Sequence, residues 1–142
     1  MESITSPTGK FTLPPSLIGM HRESVDWLSA TDLWKRELEF FQKLLDQHAP
    51  KDNSVGYKKE VDHFQNLITY YDGELVDMLH KKLRKHESRL AKLVQEKTEA
   101  DVDYYNEHSN IMDEASSFQK VFTEFKHGFF GFIEQGLRTY PA

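Results

Sequence analysis

The sequence predicts an all-α protein, folded as an antiparallel up-down-up bundle of three long helices. Apolar residues recur at alternating spacings of three and four over most of the chain, as on the buried face of a helix. Neither Gly nor Pro occurs from Glu74 to His127, which favours long uninterrupted helices there. A chain of 142 residues is also long enough to bury a core of its own. We therefore expect a single domain over residues 1–142.

The first predicted helix covers residues 24–49. A stripe with helical spacing runs through this range and consists of Trp27, Thr31, Trp34, Leu38, Phe41 and Leu45. Pro50 and the polar loop at 51–56 indicate where the helix ends. Residues 1–22 contain several Pro and Gly residues before any stripe begins, so we expect an extended N-terminal segment.

The second and third predicted helices cover residues 57–97 and 99–137. Gly73 lies inside the second helix and is expected to be a weak point, since Gly costs about 1 kcal/mol relative to Ala. Residues 81–97 carry seven Lys or Arg, whereas residues 99–114 carry six acids and no Lys or Arg. Two such arms neutralise each other if the chain folds back between them. Thr98 starts a capping pattern for a new helix, so we place the turn there; the alternative break is at 106–110.

A turn at Thr98 also predicts which charges face each other. Lys85 and Lys92 are then expected opposite the acids of the third helix, which are Glu107, Asp113 and Glu114. The basic run at 81–89 has no interleaved aromatic residues for base stacking. We therefore interpret it as one side of an intramolecular charge pairing and not as a polyanion site.

Two Glu-x-x-His motifs, Glu60 with His63 and Glu124 with His127, resemble in spacing the ligands of carboxylate-bridged metal bundles. The predicted hairpin, however, separates the two motifs by about 22 Å along the helices. All four side chains also flank the apolar stripe. Exposed helix surface is therefore the preferred interpretation, and a metal site is the alternative.

His86 and His108 are the two histidines of the long helices that fall on the apolar stripe. The predicted register places His86 opposite Asp113 and His108 opposite Ala91, about five residues out of level. We expect buried imidazoles that bond a neighbouring Tyr or carboxylate. A metal-binding or pH-sensing role at an oligomer interface is the alternative.

The hairpin of the second and third helices is longer than the first helix and so needs another cover. Two hairpin tips packed together would form a four-helix bundle by a symmetric contact, so we expect a homodimer. The expected interface consists of Leu83, Leu90, Leu93, Tyr104, Tyr105 and Met112. The segment from Phe11 to Met20 is a competing cover for the same surface.

Composition and motifs limit the classes of function that we expect for this chain. A net charge of −5 argues against a nucleic-acid binder, and a mean hydropathy of −0.66 without a long apolar run argues against a membrane protein. No signal peptide is recognised, so the cytoplasm is the expected location. The chain has no Cys, phosphate-binding loop or G-x-S-x-G motif. We expect a non-catalytic helical bundle without a cofactor, acting through self-association or an unidentified protein partner. The alternative is a metal-binding bundle whose histidine and carboxylate ligands are completed across a dimer.

Overall fold

The computed structural model describes residues 15–49, 54–96 and 102–139. Its elements are α1 (Pro15–His48), α2 (Val55–Tyr70), a π-helical turn (Tyr71–Val76), α3 (Asp77–Gln95) and α4 (Val102–Thr139). No strand occurs in these three ranges. The prediction of an all-α protein with three long helical stretches is confirmed, because α2, the π-helical turn and α3 follow one another without a break.

The first helix starts earlier than its predicted beginning at Ser24. Pro15 occupies the first turn of α1, where a missing N–H breaks no helical hydrogen bond. The predicted extended segment 1–22 is therefore wrong for residues 15–22, and its remaining part lies outside the described residues. The position of the turn near Thr98 also lies outside them; α3 ends at Gln95 and α4 begins at Val102.

The π-helical turn lies where Gly73 was expected to weaken the second helix. Tyr71 and Val76 are both buried although they are five residues apart. An α-helix does not bring residues five apart onto one face, whereas i→i+5 bonding does. The structure buries Val76 fully and leaves Leu75 half-buried. The π-helical turn contains one residue more than an α-helical turn, and this keeps the buried positions of α2 and α3 in one continuous stripe.

Contacts between residues divide the chain into two compact units. We name the first the histidine unit; its described residues are 15–31, 78–96 and 102–116. We name the second the phenylalanine unit; its described residues are 32–49, 54–77 and 117–139. Each unit has its own interior. A single domain over the whole chain stays a prediction.

The interior of the phenylalanine unit is almost entirely aromatic and aliphatic. Four rings of α4 form a ladder in which successive planes differ by 16°, 7° and 13°; they belong to Phe118, Phe122, Phe125 and Phe129. Trp34 meets Phe118 edge-on with ring centroids 4.9 Å apart, and Phe41 packs 5.2 Å from Phe129. Offset and edge-on ring contacts of this kind add to the free energy of simple burial.

The interior of the histidine unit combines an apolar cluster with buried polar side chains. The cluster consists of Leu17, Ile18, Met20, Leu90, Val94 and Tyr104, with Leu93 packed against it. The buried polar residues are Ser24, Thr31, His86 and His108. The first turns of α1 therefore cover the surface of α3 and α4 that was expected to need a second copy of the chain.

Candidate functional site

A chain of hydrogen bonds links two carboxylates through two imidazoles in the histidine unit. Nδ1 of His86 lies 2.6 Å from Oε1 of Glu107, and Nε2 of the same ring lies 2.9 Å from Nδ1 of His108. Nε2 of His108 is in turn 3.2 Å from Oε1 of Glu23. We call these four side chains the histidine relay. All four ring nitrogens are thereby in contact with a polar partner.

Three helices position the relay. Glu23 comes from α1, His86 from α3, and the other two residues from α4. The ring of His86 is completely buried, whereas the side chains of Glu107 and Glu23 are 40% and 58% exposed. Both ends of the relay therefore reach solvent, while its centre is shielded from solvent.

Aromatic and charged neighbours hold the centre in place. Tyr104 stacks on His86 with ring centroids 4.4 Å apart and planes 13° apart. Arg89 donates from Nη1 to Oε2 of Glu107 at 3.1 Å and lies over the Tyr104 ring at 5.7 Å. Burial lowers the pKa of His86, and the hydrogen bond to Glu107 acts in the opposite direction. Burial likewise raises the pKa of Tyr104.

The relay is a line of groups and not a cluster around one point. The facing nitrogens of His86 and His108 point at each other, and their outer nitrogens point at separate carboxylates. A metal site needs several ligands that converge on one ion. Within residues 15–49, 54–96 and 102–139, no group of three or more such side chains could hold a metal ion.

The two Glu-x-x-His motifs lie in the phenylalanine unit, and all four of their side chains are exposed. Glu124 acts electrostatically on Tyr71, which lies eleven residues beyond Glu60 and thus about 16 Å along the helix. His63 contacts the ring of Phe64, 5.5 Å away. The motifs therefore supply exposed helix surface, as the preferred interpretation expected.

The expected interface divides into buried and accessible residues. Leu83, Leu90 and Tyr104 have no exposed surface, so they cannot form a contact with a second copy; this part of the prediction is wrong. Leu93 and Met112 are half-buried, and Tyr105 is 42% exposed. The physical reason is the early start of α1, which hides the apolar surface that the dimer was expected to hide.

The predicted register of α3 against α4 is also wrong. Asp113 and Ala91 were expected opposite the two histidines, but His86 contacts Glu107 and His108. A count from Thr98 assigned each residue a level along the helices without knowledge of the contacts between them, and the hydrogen bonds of His86 to Glu107 and His108 shift that level by about five residues. The imidazoles are therefore level with each other.

The acids of α4 bind different cations from those expected. Lys82 binds Glu114 at 2.9 Å, and Arg89 binds Glu107 at 3.1 Å. Lys85 and Lys92 form no ion pair with any described residue. The intramolecular charge pairing thus accounts for only two of the six Lys and Arg residues of α3.

The other four cations of α3 form an exposed basic face. They are Lys81, Arg84, Lys85 and Lys92, and none has an ion pair among the described residues. Positions 81, 85, 88 and 92 repeat at helical spacing, so they share one side of the helix; position 88 is the small polar Ser88. The row from 81 to 92 is about 16 Å long.

A groove of about 610 Å³ runs between α3 and α4 beside this face. Its α3 wall carries Lys82, Lys85 and Arg89, and its α4 wall is acidic and amidic. Asp103 and Glu114 contribute to the α4 wall. Positive and negative charge are therefore separated across the groove by the two helices.

The sequence contained a signal for the relay that the stripe alone did not show. His86 is followed by Glu87 on α3, whereas His108 is preceded by Glu107 on α4. Because the two helices run in opposite directions, this inverted order places the two His residues at one level along the helices and the two Glu residues at the next level. Glu87 binds Nδ1 of His21 at 2.6 Å. Nothing in the local sequence marked Glu23 as the fourth member.

No protein-family model, curated protein or solved structure matches this chain. Among the described residues, no helix has both the length and the apolar composition needed to cross a bilayer. The relay and the basic face are the two features of the described residues that bear on function.

Proposed function

We propose that this protein is a non-catalytic, cytoplasmic helical-bundle module that binds an acidic helix of a protein partner on the basic face of α3. The observation that carries the proposal is the row of four exposed cations without ion pairs among the described residues. In a chain of net charge −5, such a row is a local reversal of sign. Complementary charge steers association and selects partners.

The spacing of the row favours an α-helix as the partner. Lys81, Lys85 and Lys92 lie one, or nearly two, helical turns apart on the same side of α3. Carboxylates repeated once per turn on a second helix have the same pitch. A helix laid along α3 can therefore pair with several of these cations at once.

The surroundings of the row disfavour a nucleic acid. The acidic side chains of Asp103 and Asp113 are exposed on α4, and Asp103 lines the same groove as Lys85. A continuous phosphate backbone would meet these carboxylates. The exposed positions of α3 between 81 and 92 also include no aromatic residue for stacking.

Neither the metal-binding alternative nor self-association has a supporting observation of its own. The described residues contain no convergent ligand group, and three of the six residues of the expected dimer interface are buried within one chain. Self-association stays a prediction.

The test uses the full chain and a labelled synthetic helical peptide that carries Glu once per turn. The comparison peptide has Gln at the same positions. Fluorescence anisotropy should show binding of the Glu peptide only, weakening as salt is added. Backbone amide shifts should change along α3. Equal binding of the two peptides would overturn the proposal.

The variant replaces three cations, as Lys81→Glu, Lys85→Glu and Lys92→Glu. Three exposed ion pairs of about 0.5 kcal/mol each together correspond to about a tenfold loss of affinity, or about 1.4 kcal/mol. The matched control replaces Lys58, Lys59 and Lys120, which are exposed residues of the phenylalanine unit, by Glu. It has the same net charge and should retain the affinity.

Two further probes test the competing partners. One contrary outcome is a DNA duplex that binds the wild-type chain more tightly than the Glu peptide does and fails to bind the α3 variant. That result would overturn the proposal that the partner is a protein. Light scattering that shows a mass above 16.7 kDa, abolished by the α3 variant alone, would identify a second copy as the partner and overturn the proposal. A monomer that binds the Glu peptide supports it.

A further inference from the structure

The hydrogen bonds of the histidine relay determine how many protons its two rings must carry. An ionised carboxylate accepts hydrogen bonds and donates none, so the link to Glu107 needs a proton on Nδ1 of His86. The link to Glu23 needs a proton on Nε2 of His108 for the same reason. The central link needs one proton between Nε2 of His86 and Nδ1 of His108.

Three links therefore need three protons on two rings. Two neutral imidazoles carry two protons together, which leaves one link with only acceptors facing each other. Two imidazolium rings carry four protons, which places two N–H groups against each other at the central contact of 2.9 Å. Only the state with one imidazole and one imidazolium satisfies every link.

We propose that His86 and His108 form a one-proton switch, in which the pair holds a single shared positive charge at neutral pH and the uptake of another proton breaks the central hydrogen bond and loosens α3 from α4. The proposal concerns regulation and does not depend on the basic face. Hydrophobic packing alone does not require buried imidazoles, and the switch gives these two a role.

The charges around the pair support the singly charged state. Those that face it from the three helices are Glu23 of α1, Glu87 and Arg89 of α3, and Glu107 of α4, with His21 of α1 on Glu87 and the Tyr104 hydroxyl on α4. Glu23 and Glu107 touch the rings directly, so a positive charge shared by the two rings lies between two carboxylates that stabilise it. Burial of the central contact disfavours a second positive charge on the pair.

Acid should therefore destabilise the histidine unit. Burial lowers the pKa of His86, so below pH 6.5 the unfolded chain binds a proton that the folded chain does not yet bind. The contribution of this second proton to stability is then fully present above about pH 6.5 and is lost as the pH falls towards the lowered value. The shared proton acts the other way, because the folded chain retains it where the unfolded chain releases it, and so it stabilises the folded chain at neutral pH. A difference of one proton changes the folding equilibrium by up to about tenfold per pH unit.

Long-range ¹H–¹⁵N NMR of the imidazoles in the wild-type chain tests the proton count directly. At pH 7, three of the four ring nitrogens of His86 and His108 should have the shifts of protonated nitrogens. Exposed His63, which lies in the phenylalanine unit, is the internal reference for the ring-nitrogen shifts. One proton on each ring at pH 7, or two charged rings, would overturn the proposal.

Residue-resolved hydrogen exchange from pH 7 to pH 5 tests the loosening. After correction for the intrinsic exchange rate, amides of α3 between 83 and 94 should lose protection by about tenfold or more, whereas those of the phenylalanine unit should change less. His108→Gln removes the clash between two N–H groups at the central contact. It should therefore abolish the acid-induced loss of protection in α3. His63→Gln is the matched control and should retain it. An equal loss in both units would contradict the switch.

Discussion

The two units of this protein differ in what they bury, although α1 and α4 contribute residues to both. The phenylalanine unit buries a ladder of rings around Trp34 and Phe41. The histidine unit buries two imidazoles, Ser24 and Thr31 beside its apolar cluster. Ring packing contributes stability without depending on pH. Buried polar groups contribute less, but their contacts are specific and respond to protons.

The largest effect is expected in the ring ladder. Phe122→Ala removes a side chain that is 1% exposed and contacts both neighbours in the ladder. The free energy of unfolding should fall by about 3–5 kcal/mol, since a lost ring leaves a cavity. Urea unfolding followed by tryptophan fluorescence measures it. Phe40→Ala, at a position 54% exposed, is the control; equal losses for both would contradict the ladder as a source of stability.

A smaller effect is expected where α1 covers the apolar cluster of the histidine unit. Leu17→Ala should lower the free energy of unfolding by about 2–3 kcal/mol, because Leu17 is 6% exposed within that cluster. It should also expose part of Leu90 and Tyr104 and so increase association, which light scattering detects. Leu33→Ala, at a position 57% exposed, should do neither. An unchanged stability for Leu17→Ala would contradict the role of α1 as cover.

The smallest effect is expected at a single polar contact. Thr31 is 1% exposed, and its hydroxyl lies 2.9 Å from Nδ1 of His80 and donates to the Leu28 carbonyl at 2.7 Å. Thr31→Val keeps the shape and loses these bonds, at a cost of about 1 kcal/mol. Thr123→Val removes an exposed hydroxyl and should cost less in the same urea unfolding assay. A stabilised Thr31→Val would show that the polar interior serves specificity and not stability.

The periodicity of apolar residues was sufficient to predict the helices, because a stripe of Trp34, Leu38 and Phe41 can be buried only on a helix. It was not sufficient for the start of α1, since Pro15 interrupts a helix elsewhere but is compatible with a first turn. Pairing between helices was harder still. Which residue faces His86 depends on the register of α3 against α4, and an error of six residues exchanges Glu107 for Asp113. The relay therefore needed three-dimensional coordinates.

The π-helical turn has a consequence for how the chain length can change. Tyr71 and Val76 are both buried at a spacing of five, and a continuous α-helix needs a spacing of four. Gly73 and Glu74 between them are exposed, and a Cβ atom at Gly73 would meet nothing within 4 Å. Loss of one of these two residues would convert the turn into regular α-helix and leave the buried positions on either side in phase. In a homologue shorter by one residue, an alignment gap belongs here.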